Sequence, residues 1–161
     1  MTGVRGVSGI VEVTEGARRL AESDLLRRAE RVHRQLRPGL AADYAAKMQR
    51  VFAGGGRMCV ALGDGSGDGS GDGEVCGVAV YRIYENTVDG RIMYVDDLVT
   101  DESRRSSGIG HALMEHLQGA ARRAGCVSLA LDSGTHRQQA HKFYFREGMV
   151  IPSFHFAKSL K

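Results

Sequence analysis

The chain has 161 residues, 42% hydrophobic and 25% charged, which is the size of one ordinary domain with a sizeable core; wholesale disorder and dependence on a disulfide or metal staple are excluded. A net charge of +3, no Trp, and only five Phe and five Tyr argue against a nucleic-acid surface built on charge and base stacking. No stretch approaches the roughly 20 apolar residues of a membrane span, the first thirty residues lack the apolar run of a secretory signal, and the scattered Cys59, Cys76 and Cys126 read as reduced, buried thiols in a cytoplasmic protein.

Residues 1–9 are small and polar and predict a flexible N-terminus ahead of a single domain over 10–161. Ile10–Val13 alternates as a short strand. Thr14 opens a helical stretch to about Arg37, in which Leu20, Leu25, Leu26, Ala29, Val32 and Leu36 recur at three and four. Pro38-Gly39 stops it. A second helix, about 41–52, carries Tyr44, Met48, Val51 and Phe52 on one side and ends at Gly54-Gly55-Gly56. Arg57–Leu62 and Glu74–Tyr84 read as strands. Between them, residues 63–74 repeat a Gly-Asp-Gly-Ser unit. The acids Asp64, Asp68 and Asp72 are four apart, whereas an EF-type calcium loop spaces its first ligands by two and needs a distal Glu. A flexible hairpin tip is therefore expected.

Ile92–Thr100 predicts a strand containing Asp96 and Asp97. After a polar loop comes a helix, His111–Ala124, with a stripe of Leu113, Leu117, Ala120 and Ala124 and Gly125 as its stop. Cys126–Asp132 reads as a strand covered on both faces, Ser133-Gly134-Thr135 as a turn, Arg137–Glu147 as a helix ended by Gly148, and Phe154–Leu160 as a closing strand. This order predicts an α/β (α+β) domain with a mixed, mostly antiparallel sheet.

The loop Arg105-Ser106-Ser107-Gly108-Ile109-Gly110 is the most informative segment. A helix N-terminus presents unpaired N–H groups and partial positive charge, so it attracts phosphate. Glycines let a ligand approach the backbone, and Arg104 and Arg105 can grip phosphate oxygens in a fork. A Walker loop would need Gly-Lys-Ser/Thr, but Gly110 is followed by His111-Ala112. A dinucleotide fold would need a third glycine, where Leu113 stands, and a strand that turns at once, whereas Thr100 lies eight residues before Gly108. A plain helix start also fits the loop taken alone.

Arg-x-x-Gly-x-Gly after a strand of the form hydrophobic-Asp-Asp-Leu-Val resembles the acyl-CoA motif of the GNAT superfamily of N-acetyltransferases. The similarity continues at Asp132-Ser133-Gly134 and through Ala140-His141-Lys142-Phe143-Tyr144-Phe145-Arg146-Glu147-Gly148-Met149. The stretch AHKFYFREGM…FHFAKSL is similar to aminoalkylphosphonate N-acetyltransferases. The resemblance covers residues 57–160, and residues 10–52 by element order only. It implies splayed central parallel strands flanked by about four helices, and acetyl-CoA as co-substrate. It implies that Arg105, Ser106, Ser107, Gly108, Ile109 and Gly110 wrap the diphosphate. Leu98, Val99 and Thr100 would pair with the pantetheine amides, with Ser133, Ala140 and Phe143 also on the cofactor. The family commonly has Gly where Ser106 stands, and Asn where Ser133 is the nearest polar substitute.

Acetyl transfer needs a neutral amine, donors for a tetrahedral oxyanion, and an acid for the departing thiolate. Adjacent in a strand, Asp96 and Asp97 point to opposite faces. By resemblance Asp97 is the favoured base, directly or through a water, with Asp96 the alternate. The resemblance also implies a bulge that frees an N–H near Leu98 or Val99. Tyr144 is the expected acid, since a phenol stays protonated near neutrality, although its i,i+4 relation to Ala140 also fits a core aromatic. His111 and His116 are five apart, as are His136 and His141, which is off one helix face, so no tightly bound metal is expected. No Cys is placed as a nucleophile. The expected acceptor is a small primary amine, with a protein amine or a non-catalytic acyl-CoA sensor as alternatives. A homodimer is common in similar proteins.

Overall fold

A computed structural model describes residues 7–14, 24–64 and 73–160. The chain divides into two compact units, Met1–Ala130 and Leu131–Lys161. In the first, β1 (Gly9–Glu12), β2 (Arg57–Leu62), β3 (Val75–Asn86) and β4 (Gly90–Thr100) pair antiparallel in chain order. β5 (Ser128–Leu131) lies beside β4 at the end of a mixed five-stranded sheet, and its last residue opens the second unit.

Alternation sorts the side chains of these strands onto two faces. Met58, Val60, Val78 and Val80 pack with Leu26, Ala29 and Val32 of α1 (Asp24–Leu36) and with Tyr44 and Met48 of α2 (Tyr44–Ala53). Each fully buried Val, Leu or Met side chain among them contributes roughly 1.5–3 kcal/mol. The other face receives α3 (Ile109–Arg123), which buries Ile109, Leu113, Met114 and Leu117. At Gly77 the helix rests on the strand itself. A Cβ there would meet Ile109 Cγ2 at 2.8 Å and Leu113 Cδ1 at 2.9 Å, so any larger residue would push α3 off the sheet.

Of the first expected helix, the described part is α1, and Thr14 itself has no regular structure. The Thr14 Oγ1 accepts the Met58 N–H at 3.1 Å, tying the residue to β2. Residues 15–23 of the expected helix and 65–72 of the Gly-Asp-Gly-Ser repeat lie outside the described residues. α2 starts at Tyr44 because Asp43 caps it, accepting the Ala46 N–H at 2.9 Å. Cys126 precedes β5 and is only partly buried, which corrects the expectation of three strand thiols.

The second unit holds α4 (Gln138–Arg146), whose final turn is closed by the Met149 N–H on the Tyr144 carbonyl at 3.0 Å. The Phe143 and Tyr144 rings meet edge to face, with centroids 5.4 Å apart. The expected closing strand is absent. Residues 154–160 have no regular structure, and Phe154, Phe156 and Leu160 are exposed. Alternating apolar residues form a strand only when a ladder partner satisfies their backbone, and alternation by itself supplies none. No described helix is long and apolar enough to cross a membrane.

Candidate active site

The register of β3 against β4 pairs Val80 with Asp97 and Tyr81 with Val95. Asp96 is therefore the extra residue of a β-bulge, where a strand bends and ladder groups are released. The bulge expected in this strand is present, and it falls at the two acids. Their side chains part. Asp96 Oδ2 accepts Arg82 Nε at 2.9 Å and Nη2 at 2.8 Å, which leaves Oδ1 without a partner among the described residues. Asp97 turns toward α1, where Oδ2 lies 2.9 Å from His33 Nε2. Its Oδ1 takes Arg37 Nε at 2.7 Å and Nη2 at 2.6 Å.

His33 is buried, and its Nδ1 faces the Tyr44 hydroxyl at 2.9 Å. Burial and the Glu30 carboxylate push Tyr44 far above the usual phenol range. It thus stays protonated and donates to Nδ1, so Nε2–H donates to Asp97. Burial pushes the Asp97 carboxyl up, but hydrogen bonds from His33 and Arg37 outweigh it and hold the group below the usual carboxylate range. Asp97 is a fixed anion with both oxygens engaged. His33, Arg37 and Tyr44 were not among the residues expected from sequence. One signal was present: His33 stands seven after Leu26 and four after Ala29, on the apolar stripe, where a polar residue needs a buried partner.

Beyond the bulge, Leu98, Val99 and Thr100 pair with Ala79, Val78 and Gly77. Their other edge looks toward β5, which has four residues against eleven in β4. β5 begins near the opposite end, where the Val127 N–H donates to the Arg91 carbonyl at 2.8 Å. It is too short to reach Leu98–Thr100, so their outer backbone groups face no β5 residue.

Asp101 anchors the loop that follows. It is buried and accepts the Ser103 N–H at 3.0 Å, the Ser103 hydroxyl at 2.8 Å and Arg31 Nη1 at 2.6 Å. Burial raises its pKa, but these donors overcome that and bring it to about 2. A 3-10 turn spans Glu102–Arg104. The Ser107 hydroxyl donates to the Arg104 carbonyl, and Arg104 leans on Glu74 at 3.4 Å. Gly108 takes φ +87°, and α3 then starts at Ile109 with no side-chain cap. Exposed Arg105 has no ion-pair partner among the described residues. The first N–H groups of a 15-residue helix and one uncommitted guanidinium thus share this turn, a ready anion site.

Ser106 has φ +63°, the only positive value at a non-glycine among the described residues. The left-handed region costs a side-chain-bearing residue about 1–2 kcal/mol, partly offset because glycine has more freedom to lose on folding. Ser106→Gly is expected to stabilise the fold by roughly 0.5 kcal/mol in urea unfolding. A loss of stability would show that the hydroxyl matters more than the backbone strain.

The remaining expected residues lie in the second unit. The Ser133 hydroxyl is buried without a hydrogen-bond partner among the described residues. Ala140, Phe143 and Tyr144 sit on α4. Burial pushes the Tyr144 phenol up, against a smaller pull down from Arg137, and its hydroxyl has no partner among the described residues.

A bulged strand that outruns its neighbour β5 and leads through a pinned turn into a helix with no side-chain cap defines an α+β protein of the strand–loop–helix class. The model for the acetyltransferase (GNAT) family matches residues 25–149, and the chain belongs to that family. YhdJ of Bacillus subtilis (strain 168), an uncharacterized N-acetyltransferase, is 33% identical over 94 residues, 49% of this chain and 66% of that protein. The aminoalkylphosphonate N-acetyltransferase of Salmonella typhimurium (strain LT2) is 35% identical over 66 residues, 41% of this chain and 43% of that protein. The matches thus span less than two thirds of either relative. Among solved structures, AAC(6')-Iy in complex with the bisubstrate analog CoA-S-monomethyl-acetylneamine superposes with TM-score 0.73 at 17% identity, covering 95% of this chain and 97% of that one, which extends the likeness to the fold.

Proposed function

We propose that the protein moves an acetyl group from acetyl-CoA to a primary amine of a small molecule, by direct attack in a ternary complex. The observation that carries this reading is the turn at Ser106–Gly108, which opens an uncapped α3 beside unpaired Arg105. The cofactor diphosphate would lie on Arg105–Gly110, with backbone N–H groups as donors. The pantetheine arm would add to the edge of Leu98–Thr100 as a strand does. Its further contacts would be Ala140, Phe143 and the unpartnered Ser133 hydroxyl.

An alkyl ammonium has a pKa near 10.4, so presenting it neutral at pH 7 costs about 4–5 kcal/mol unless a base takes the proton. Asp97 is the base in this proposal. Held low by its two donors, it acts through a water, orienting the amine and passing the proton on to solvent. The open Oδ1 of Asp96 is the alternate acceptor. As nitrogen bonds to the acyl carbon, an N–H freed at the bulge stabilises the oxyanion. The C–S bond then breaks, and Tyr144 protonates the leaving thiolate. The Salmonella relative puts aminoalkylphosphonates first among acceptors to try, and half-exposed Arg37 beside Asp97 suits an anionic group on the amine. A cytoplasmic setting fits the unpaired thiols, and a homodimer belongs to the same proposal.

The test is thiol release from acetyl-CoA across a panel of amines, aminoalkylphosphonates included. Tyr144→Phe is expected to lower turnover at least tenfold with acetyl-CoA affinity unchanged; undiminished turnover removes Tyr144 from the reaction. Calorimetric binding of acetyl-CoA without thiol release on any amine would replace the enzyme with a sensor.

A further inference from the structure

Three elements of the first unit bring unlike ligating groups together on the α3 face of the sheet. Glu12 of β1 stands opposite Cys59 of β2 in the strand register. His116 of α3 reaches down so that its Nε2 lies 2.8 Å from Glu12 Oε1. The carboxylate oxygen, the Cys59 sulfur and the imidazole nitrogen all lie within 4.8 Å of one another. The Tyr81 hydroxyl is 3.1 Å from both Glu12 oxygens. The sulfur is fully buried, while the Glu12 and His116 side chains keep 19% and 23% of their surface exposed, so the group opens to solvent on one side only.

We propose that Glu12, Cys59 and His116 form a binding site for a borderline divalent ion of the zinc type, clipping α3 to the first two strands. One sulfur, one imidazole nitrogen and one carboxylate oxygen make a donor set that favours such ions over calcium or magnesium. Bonds of about 2.0–2.3 Å in a tetrahedron separate neighbouring ligand atoms by roughly 3.3–3.7 Å. The nitrogen–oxygen pair, now 2.8 Å apart, opens by less than about 1 Å to reach that value, and the sulfur already lies within 4.8 Å of both atoms. On binding, Cys59 releases its thiol proton to solvent. The hydrogen shared by His116 Nε2 and Glu12 moves to Nδ1 or to solvent, and the freed lone pairs bind the ion. Thiolate and carboxylate together supply the two negative charges that balance it. The Tyr81 hydroxyl, donating to Glu12, holds that ligand in place, and a water takes the fourth position.

A thiol must lose its proton to bind the ion, so affinity falls as pH falls. The site is separate from the loop Arg105–Gly110 and does not depend on the proposed acetyl transfer.

The probe is cobalt(II) alone, titrated into the full chain at pH 7.5. The expected result is one equivalent bound in the micromolar range or tighter, with a near-ultraviolet thiolate-to-cobalt charge-transfer band, tetrahedral visible bands, and displacement by zinc. Cys59→Ala should abolish the charge-transfer band. His116→Gln, at the part-exposed end where folding is least at risk, should weaken binding at least tenfold. The thermal midpoint should rise with zinc in the wild type and not in His116→Gln. A wild type with no charge-transfer band at millimolar cobalt overturns the proposal, as does an undiminished band in either variant.

Discussion

Replacing Gly108 by leucine is expected to abolish acetyl-CoA binding, with no heat detectable by calorimetry at concentrations where the wild type saturates. Gly108 has φ +87° and sets the direction in which α3 begins. A leucine would have to hold the left-handed region or rotate out of it. Holding costs about 1–2 kcal/mol and places a branched side chain where the diphosphate would lie. Rotating turns the N–H groups of Ile109 and Gly110 away from a common point. Either way the anion loses several backbone donors at once, each charge-assisted bond being worth about 1.5–3 kcal/mol. Circular dichroism should stay native, because the apolar stripe of α3 is untouched. Retained micromolar binding would refute the loop as the cofactor site.

The second large effect is expected at Asp97. Asparagine in its place keeps the shape but removes the charge that His33 and Arg37 share. Taking one partner from a largely buried ion pair costs 3–5 kcal/mol; half-exposed Arg37 can turn to water, so about 2–3 kcal/mol is expected at pH 7. Turnover should fall at least a hundredfold. The pH dependence has a definite sign. The folded carboxyl titrates below its unfolded value, so its contribution is fully present above the ordinary carboxylate range near pH 4. It fades as pH falls through the folded pKa. The stability gap between wild type and Asp97→Asn, measured by urea unfolding, should therefore be widest at pH 7 and smaller at pH 3. An equal gap at both would show that the lost stability is not electrostatic. Unchanged turnover would shift the base to Asp96.

Much of the fold was legible in the residue order. Alternation placed β2, β3 and β4 to within a few residues. The stripe of Leu113 and Leu117 located α3, and Gly108 and Gly110 marked the turn before it. The missing glycine at Ser106 was also meaningful, since the backbone there takes the conformation a glycine would adopt freely. Local signals failed where an outcome depended on something distant. Residues 154–160 alternate like a strand but take no regular structure, because alternation cannot supply a ladder partner.

What the sequence determined by itself is what each element needs from its own neighbours: periods of two and of three to four, caps, and the glycines that turn the chain into α3. Tertiary structure alone decided which side chains meet. His33 and Asp97 are 64 positions apart, and Glu12 and His116 are 104 apart. Their contacts follow from the strand register and from where each helix docks. A slip of one residue would turn Glu12 and Asp97 to opposite faces and dissolve both clusters. Periodicity fixes a face. Only the summed packing of Leu26, Val60, Val78 and Leu113 against their neighbours fixes a partner.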